Sequence, residues 1–248
     1  MSNETTKPFA SECEADRIDL AVLNENRANT YALLARMYRS EVDEAFLEEL
    51  RRLRFPASTG NEKTDKGYRL IAKALSNLWE NTIDDLAVDF AGTFLGGGID
   101  AYSAAYPFES VYTSPKRLLM QEARDEVLCI YRSEGLDKQD AWKEGEDHIA
   151  LELEFMQEMC NRANAALAEG CDEEAIRLCK VQANFLEQHL NSWVALMTAD
   201  MRRFAKGDLY RGLSYLTEGF LESEGAFLAE LLSENEEPSR TVASDRSE

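Results

Sequence analysis

The segment LEQHLNSWVALMTADMRRF, residues 186–204, shows most clearly what kind of fold this chain adopts. Its large apolar side chains recur every three or four residues, which is the spacing of one face of an α-helix. The positions on this face are Leu186, Leu190, Trp193, Met197, Met201 and Phe204. No run of alternating β-branched residues occurs in the chain, so we do not expect a sheet. The pattern predicts an all-α fold.

The same helical spacing recurs through most of the 248 residues. Apolar stripes of this kind lie in residues 31–38, 70–78, 86–94 and 149–160, and a last one begins at Leu209. Gly219 and Gly225 are expected to interrupt the last helix. Because Ser is a preferred N-cap and Pro a preferred first helical residue, Ser114-Pro115 predicts a helix that runs to about Ser133.

The predicted domain organisation is a single large helical domain over residues 15–232. An alternative is two helical subdomains whose joint lies within about residues 96–147, where the connections are least regular and Gly96, Gly97 and Gly98 follow one another. Residues 1–14 and the acidic segment 233–248 are polar and have no apolar periodicity, so we expect both to be disordered.

Charge and composition limit the classes of partner. The chain has 27 basic and 47 acidic residues and a net charge of −20, which repels nucleic acid and anionic lipid and attracts basic ligands, or simply keeps the protein soluble. No window is long and apolar enough for a membrane span, and the N-terminus lacks the apolar core of a signal peptide. The five cysteines contain no C-x-x-C pair, which is typical of reduced thiols in a cytoplasm.

Only two histidines are available for acid–base or metal chemistry. Glu144, Glu146 and Asp147 precede His148, and such neighbours are expected to raise the pKa of the imidazole. Alternatively, these carboxylates cap the start of a helix, and a metal-binding enzyme that uses Glu146, Asp147 and His148 is a further, weaker reading. His189 is predicted to be a core or boundary histidine with one hydrogen bond.

Motifs for catalysis or nucleotide binding are missing from the sequence. The glycine-rich run after residue 95 follows a helix and lacks the Lys-Ser/Thr of a P-loop, and no Ser or Cys lies in a nucleophile elbow. We therefore expect no enzymatic activity, no cofactor and no metal. The remaining unusual feature is AYPFESVYTSP, residues 105–115, which places three aromatic rings and a proline between helical segments.

Two motifs resemble those of a known family. Residues 105–136, AYPFESVYTSPKRLLMQEARDEVLCIYRSEGL, are similar to the P-Y-E-S-V-Y-x-S signature of the TorD/DmsD family of redox-enzyme maturation chaperones, and residues 144–156, EGEDHIALELEFM, resemble its E-P-x-D-H motif. The resemblance covers about residues 17–232. Three positions depart from it: Gly145 and Ala195 replace prolines, and Phe108 replaces a Tyr or Trp.

The resemblance implies a cytoplasmic, all-helical chaperone without catalysis. Such proteins bind the twin-arginine signal peptide and the apo form of a molybdenum-cofactor reductase, of the dimethyl sulfoxide or trimethylamine N-oxide type, until the cofactor is inserted, and so delay export. The alternative partner is a nitrate-reductase-type or other non-exported molybdoenzyme subunit. Family members are monomers or domain-swapped dimers, and some bind guanine nucleotide; no motif here indicates which applies. No nucleic acid and no stable membrane insertion are expected.

The candidate signal-peptide site combines both motifs with the helix before them. A receptor for a basic, modestly apolar peptide needs an apolar groove and a rim of carboxylates. The candidates for the apolar wall are Phe90, Phe94, Pro107, Phe108 and Tyr112. The candidates for the polar side are Glu109, Ser110, Glu146, Asp147 and His148. For each of them, core packing is the alternative role, and the hydroxyls of Ser110 and Tyr112 could equally hold the loop.

Overall fold

The computed structural model describes residues 10–56, 58–96 and 103–236, and over these residues the prediction of an all-α fold is confirmed. The α-helices are α1 (Ala10–Arg39), α2 (Glu44–Arg52), α3 (Glu62–Ser76), α4 (Thr82–Phe90), α5 (Glu109–Thr113), α6 (Glu122–Ser133), α7 (Ile149–Ala168), α8 (Asp172–Phe185), α9 (Asn191–Phe204) and α10 (Asp208–Glu236). Two π-helical turns, π1 (Ala91–Leu95) and π2 (Leu186–Leu190), continue α4 and join α8 to α9. Within this part of the chain no helix is long and apolar enough to cross a membrane.

The predicted apolar stripes form one connected core. Helix α1 packs along α7, α7 packs on α8, and α10 lies against α3 and α9. The large side chains at the centre, among them Tyr31, Met156, Trp193 and Leu213, are fully buried. Residues 186–204 begin in π2 and continue as α9, and the predicted stripe faces this core from Leu186 to Met201, whereas Phe204 is only partly buried.

The ends of the helical region reach beyond the predicted limits. Helix α1 begins at Ala10 and α10 continues to Glu236, so residues 10–14 and 233–236, assigned to disordered ends by sequence, are helical here. Neither stretch contains Gly or Pro, and adding residues to an existing helix is far easier than starting one. Residues 1–9 and 237–248 lie outside the described residues, as do residues 97–102 of the glycine-rich run.

The expected interruption of α10 at Gly219 and Gly225 is wrong, and Gly219 serves helix packing instead. A methyl group on Gly219 would lie 2.5 Å from the backbone nitrogen of Thr64 in α3. On the facing helix, a methyl group on Gly67 would lie 2.5 Å from the backbone nitrogen of Leu216. The two backbones thus approach too closely for any side chain, and α10 runs through this contact unbroken.

The predicted helix start at Ser114-Pro115 is also wrong. Ser114 ends α5, and its Oγ accepts a hydrogen bond from the Leu118 backbone nitrogen at 3.1 Å, so the capping residue closes an isolated turn. Arg117 and Met120 then adopt left-handed φ angles of 52° and 56°, which an α-helix cannot include. Helix α6 starts only at Glu122, and it ends before Gly135 as predicted.

The contact between α3 and α10 gives a testable difference between two glycines of one helix. We expect Gly219→Ala to lower the free energy of unfolding by about 1–3 kcal/mol, because the methyl group forces the helices apart. Gly225→Ala is the matched control, since its methyl group would meet nothing closer than 3.9 Å. That variant should gain up to about 1 kcal/mol from helix propensity. Urea denaturation measures both, and equal effects of the two substitutions would contradict the packing role.

Candidate functional site

The two motifs are paired through their backbones. The Glu109 nitrogen donates to the Asp147 carbonyl oxygen at 3.0 Å, and the Ile149 nitrogen donates to the Pro107 carbonyl oxygen at 2.9 Å. Phe108 and His148 thereby form an isolated antiparallel bridge. The structure thus brings together two segments that are about forty residues apart in sequence.

Asp147 adds a side-chain bond to this pairing. Its carboxylate Oδ2 accepts a hydrogen bond from the Ser110 backbone nitrogen at 2.9 Å, in the first turn of α5. Both residues are fully buried. Burial raises the pKa of Asp147, and the bond from Ser110 only partly opposes the rise. The hydroxyl of Ser110 in turn accepts from the Gln121 backbone nitrogen at 3.1 Å, which fixes the end of the following loop.

His148 is the N-cap of α7 rather than a charged side chain. Its Nδ1 accepts a hydrogen bond from the Ala150 backbone nitrogen at 3.1 Å, and this requires the unprotonated atom. Burial, assisted by the positive charge of Arg39, lowers the pKa of His148 to about 3. The expected rise of this pKa is therefore wrong, and the residue that caps the helix is the histidine itself rather than the carboxylates before it.

The contacts of Glu146 explain why this neighbouring carboxylate does not raise the pKa of His148. Burial opposes its ionisation, but hydrogen bonds from Arg124 and Lys138 outweigh burial and lower the pKa of Glu146. The Lys138 Nζ lies 3.0 Å from Oε1 of Glu146, and Arg124 binds the other oxygen. The carboxylate is thus used to hold α6 and the loop after it beside the second motif.

A second buried polar pair links the first motif to π2. Oε2 of Glu109 lies 3.0 Å from Nδ1 of His189, and both side chains are buried. The hydroxyl of Ser192 donates to the other oxygen of the carboxylate at 3.3 Å. The prediction that His189 is a core histidine with a hydrogen bond is confirmed, and its partner is a residue of the first motif.

Sequence reasoning missed Glu152, which is fully buried in α7. It accepts a hydrogen bond from Nε1 of Trp193 at 3.2 Å. Burial, together with the negative charges of Glu109 and Asp147, raises the pKa of Glu152 well above its usual range. The available signal was its position on the apolar stripe of α7, three residues after Ile149 and one before Leu153.

The ten candidate residues do not line an exposed groove. Nine of them are buried, and only Tyr112 is partly exposed. Phe90 and Phe94 pack against Tyr210 of α10 in the core. Phe108 lies edge-on against the His148 ring at 4.9 Å, and Tyr112 stacks on Trp193 at 5.6 Å. The remaining motif residues make the buried contacts given above, so both motifs mainly build the junction between helices.

A run of exposed apolar residues lies directly after the first motif. Leu118, Leu119 and Met120 are consecutive, and about half of each side chain is exposed. Arg117, which precedes them, is paired with Asp200 of α9 at 3.2 Å. We call residues 118–120 the apolar loop. Sequence reasoning missed it because these residues were placed inside a helix, although three consecutive apolar residues cannot share one helix face.

Chemistry other than binding finds little support in this cluster. Among the described residues, no three His, Cys, Asp or Glu side chains are arranged so that they could hold a metal ion. His148 is committed to a helix cap, and Glu109 to His189. What the junction offers is a rigid base for the loops around it.

The buried His148 predicts a specific loss of stability in acid. Its pKa falls from 6.5 to about 3 on folding, so its contribution is fully present above about pH 6.5 and is lost as the pH falls toward 3. In His148→Asn the amide oxygen can still accept from the Ala150 nitrogen, but nothing titrates. We expect a lower free energy of unfolding at pH 7, by about 1–2 kcal/mol from lost ring contacts, and a shallower decline between pH 7 and 4.

Urea denaturation at pH 7, 6, 5 and 4 of the wild type and His148→Asn provides the measurement. Parallel curves of unfolding free energy against pH for the two proteins would show that His148 is not held neutral in the folded state.

Comparison with known proteins places these motifs in a family. The family model for the nitrate reductase delta subunit matches residues 61–199, more than half of the chain. The chaperone protein TorD of Vibrio cholerae serotype O1 (strain ATCC 39315) is 26% identical over 223 residues, which cover 87% of this chain and 98% of the relative. TorD of Shewanella pealeana is 24% identical over 226 residues, 86% of this chain and 94% of the relative. The chain therefore belongs to the nitrate reductase delta subunit family, which contains the TorD-type chaperones.

Proposed function

We propose that this protein is a cytoplasmic maturation chaperone for a molybdenum-cofactor reductase, whose twin-arginine leader and apo form it binds before export. The observation that carries the proposal is the similarity to proteins named chaperone TorD over 85–87% of the chain and nearly the whole of those relatives. Both family motifs are present in this chain, and they pair in the fold.

The structure suggests how such a leader would be held. A twin-arginine leader has a basic region followed by a modestly apolar, helix-prone stretch, and its receptor needs an apolar surface and carboxylates. We assign the apolar stretch to the apolar loop, because the aromatic residues of the first motif are largely buried. The net charge of −20 attracts the basic region from a distance, while specificity arises from contacts at the surface.

The buried cluster supports a role without catalysis. Three of its polar side chains make structural hydrogen bonds: Asp147 with the Ser110 backbone, Glu109 with His189, and His148 with the start of α7. A general acid or base must instead reach a substrate from an open site with a matched pKa. The pKa of His148, about 3, is far from that range.

A second candidate partner follows from the description of the family. Because the matching family model is named after the nitrate reductase delta subunit, the partner could be a molybdoenzyme subunit that is not exported. The two alternatives differ in the partner's N-terminus, since an exported reductase carries twin arginines and a cytoplasmic one need not. The leader of the reductase encoded beside this gene distinguishes them.

Calorimetric titration with a synthetic twin-arginine leader tests the proposal. We expect saturable binding to the wild type, and we expect Leu119→Ser to weaken it by about 1–3 kcal/mol because an apolar anchor is lost. Leu53→Ser is the control, since Leu53 is similarly exposed (42%) but belongs to another element, at the C-terminal end of α2. It should leave affinity unchanged.

This titration tests the proposed function and the assignment of the apolar loop separately. If no leader from a reductase binds the folded wild type, the proposed function is wrong. If leaders bind but Leu119→Ser and Leu53→Ser behave alike, the function stands and the assignment of the apolar loop is wrong.

A further inference from the structure

A cavity of about 480 Å³ lies between α7 and the loop of residues 136–142. It is separate from the apolar loop and contains none of the ten candidate residues. Its wall combines aromatic, carboxylate and amide side chains, among them Trp142, Phe155, Glu154, Glu158, Gln157 and Asn161. The lining also contains the cations Arg39 and Lys138, which are paired with Glu154 and Glu146. Such a volume accommodates a side chain with adjoining backbone, and the mixture of rings and carboxylates favours an organic cation.

The protein's own Arg39 shows how this wall binds a guanidinium. The guanidinium of Arg39 lies over the Trp142 ring, 4.8 Å from its centroid, and is paired with Glu154. Guanidinium groups stack on aromatic faces and form charge-assisted bonds to carboxylates, so this arrangement is a favourable one. The chemistry that would recognise a second guanidinium is therefore already present at the cavity.

The carboxylates retain acceptor capacity. Arg39 binds Oε1 of Glu154, and Arg162 binds Oε1 of Glu158 at 2.8 Å, so each bond uses a single oxygen. Glu154 and Glu158 are one helical turn apart on α7, hence on the same face, and their side chains are 36% and 42% exposed. A guanidinium has five donors, so it can bind the second oxygens of both carboxylates while these keep their present partners.

The cavity and the apolar loop adjoin the same motif. The Trp142 ring contacts the His148 ring at 5.1 Å. On the other side, Sδ of Met120 would lie 3.5 Å from a methyl group placed on Gly145. The cavity and the apolar loop therefore both lie beside residues 145–148.

We propose that this cavity is the arginine-binding subsite of the protein, in which an arginine side chain of a bound peptide binds the second oxygens of Glu154 and Glu158 beside Trp142. The inference rests on the proposed function, which supplies a basic peptide, and it assigns the basic end of that peptide to the cavity and the apolar end to the apolar loop.

A double-mutant cycle tests the subsite. Calorimetry compares the wild type and Glu158→Gln, each titrated with a synthetic twin-arginine leader and with the same leader carrying glutamine at both arginines. Glu158 forms only an exposed pair with Arg162, so its replacement should leave the fold intact. We expect Glu158→Gln to weaken binding of the arginine leader by roughly 3- to 10-fold and binding of the glutamine leader by less than about 2-fold.

A control variant sharpens the result. Glu230→Gln on α10 removes the same charge far along the chain, at an exposed position outside the cavity, and should not change either affinity. If Glu158→Gln weakens binding of both leaders equally, or if Glu230→Gln weakens binding as much as Glu158→Gln does, the arginine subsite is wrong and the proposed function stands. Failure of the wild type to bind the arginine leader would overturn both.

Discussion

The structure depends on the pairing of residues 107–110 with residues 147–149. Two backbone hydrogen bonds and the bond from the Ser110 nitrogen to the Asp147 carboxylate join these segments in the interior. Buried backbone groups without partners are costly, so each segment needs the other to enter the core. The same pairing sets the start of α5 and, through the His148 cap, the start of α7.

This constraint explains why motifs of a binding protein are mostly buried. Phe108 packs on His148, and Glu109 pairs with His189 of π2, so these buried side chains hold neighbouring segments in place rather than meet solvent. The segments that they hold are the exposed ones: the apolar loop, anchored through Ser110, and the loop of Trp142, packed on His148. The residues of the two motifs are therefore neighbours of the residues that we propose to contact the peptide, but they are not the same residues.

The sequence predicted the fold better than the site, for physical reasons. Helical periodicity reflects which side of a helix is buried, so the apolar faces of α7 and α9 were predicted from sequence. A glycine that packs closely against another helix looks the same in sequence as a glycine that ends one, and only the contact with Thr64 shows which applies to Gly219. The pKa of His148 was predicted with the wrong sign because adjacency in sequence says nothing about which way a carboxylate points. Glu146 turns to Arg124, and burial then dominates. Whether a motif residue is exposed or buried likewise depends on the tertiary structure, so the sequence alone did not predict it.

The central claim is that the two motifs form a buried, hydrogen-bonded junction. Amide hydrogen exchange at Glu109 and Ile149 in the free protein tests it most directly, since these nitrogens donate across the pairing. The account predicts exchange as slow as that of buried α7 amides such as that of Leu153, both before and after a leader peptide is added. Exchange as fast as in exposed loops in the free protein would contradict it.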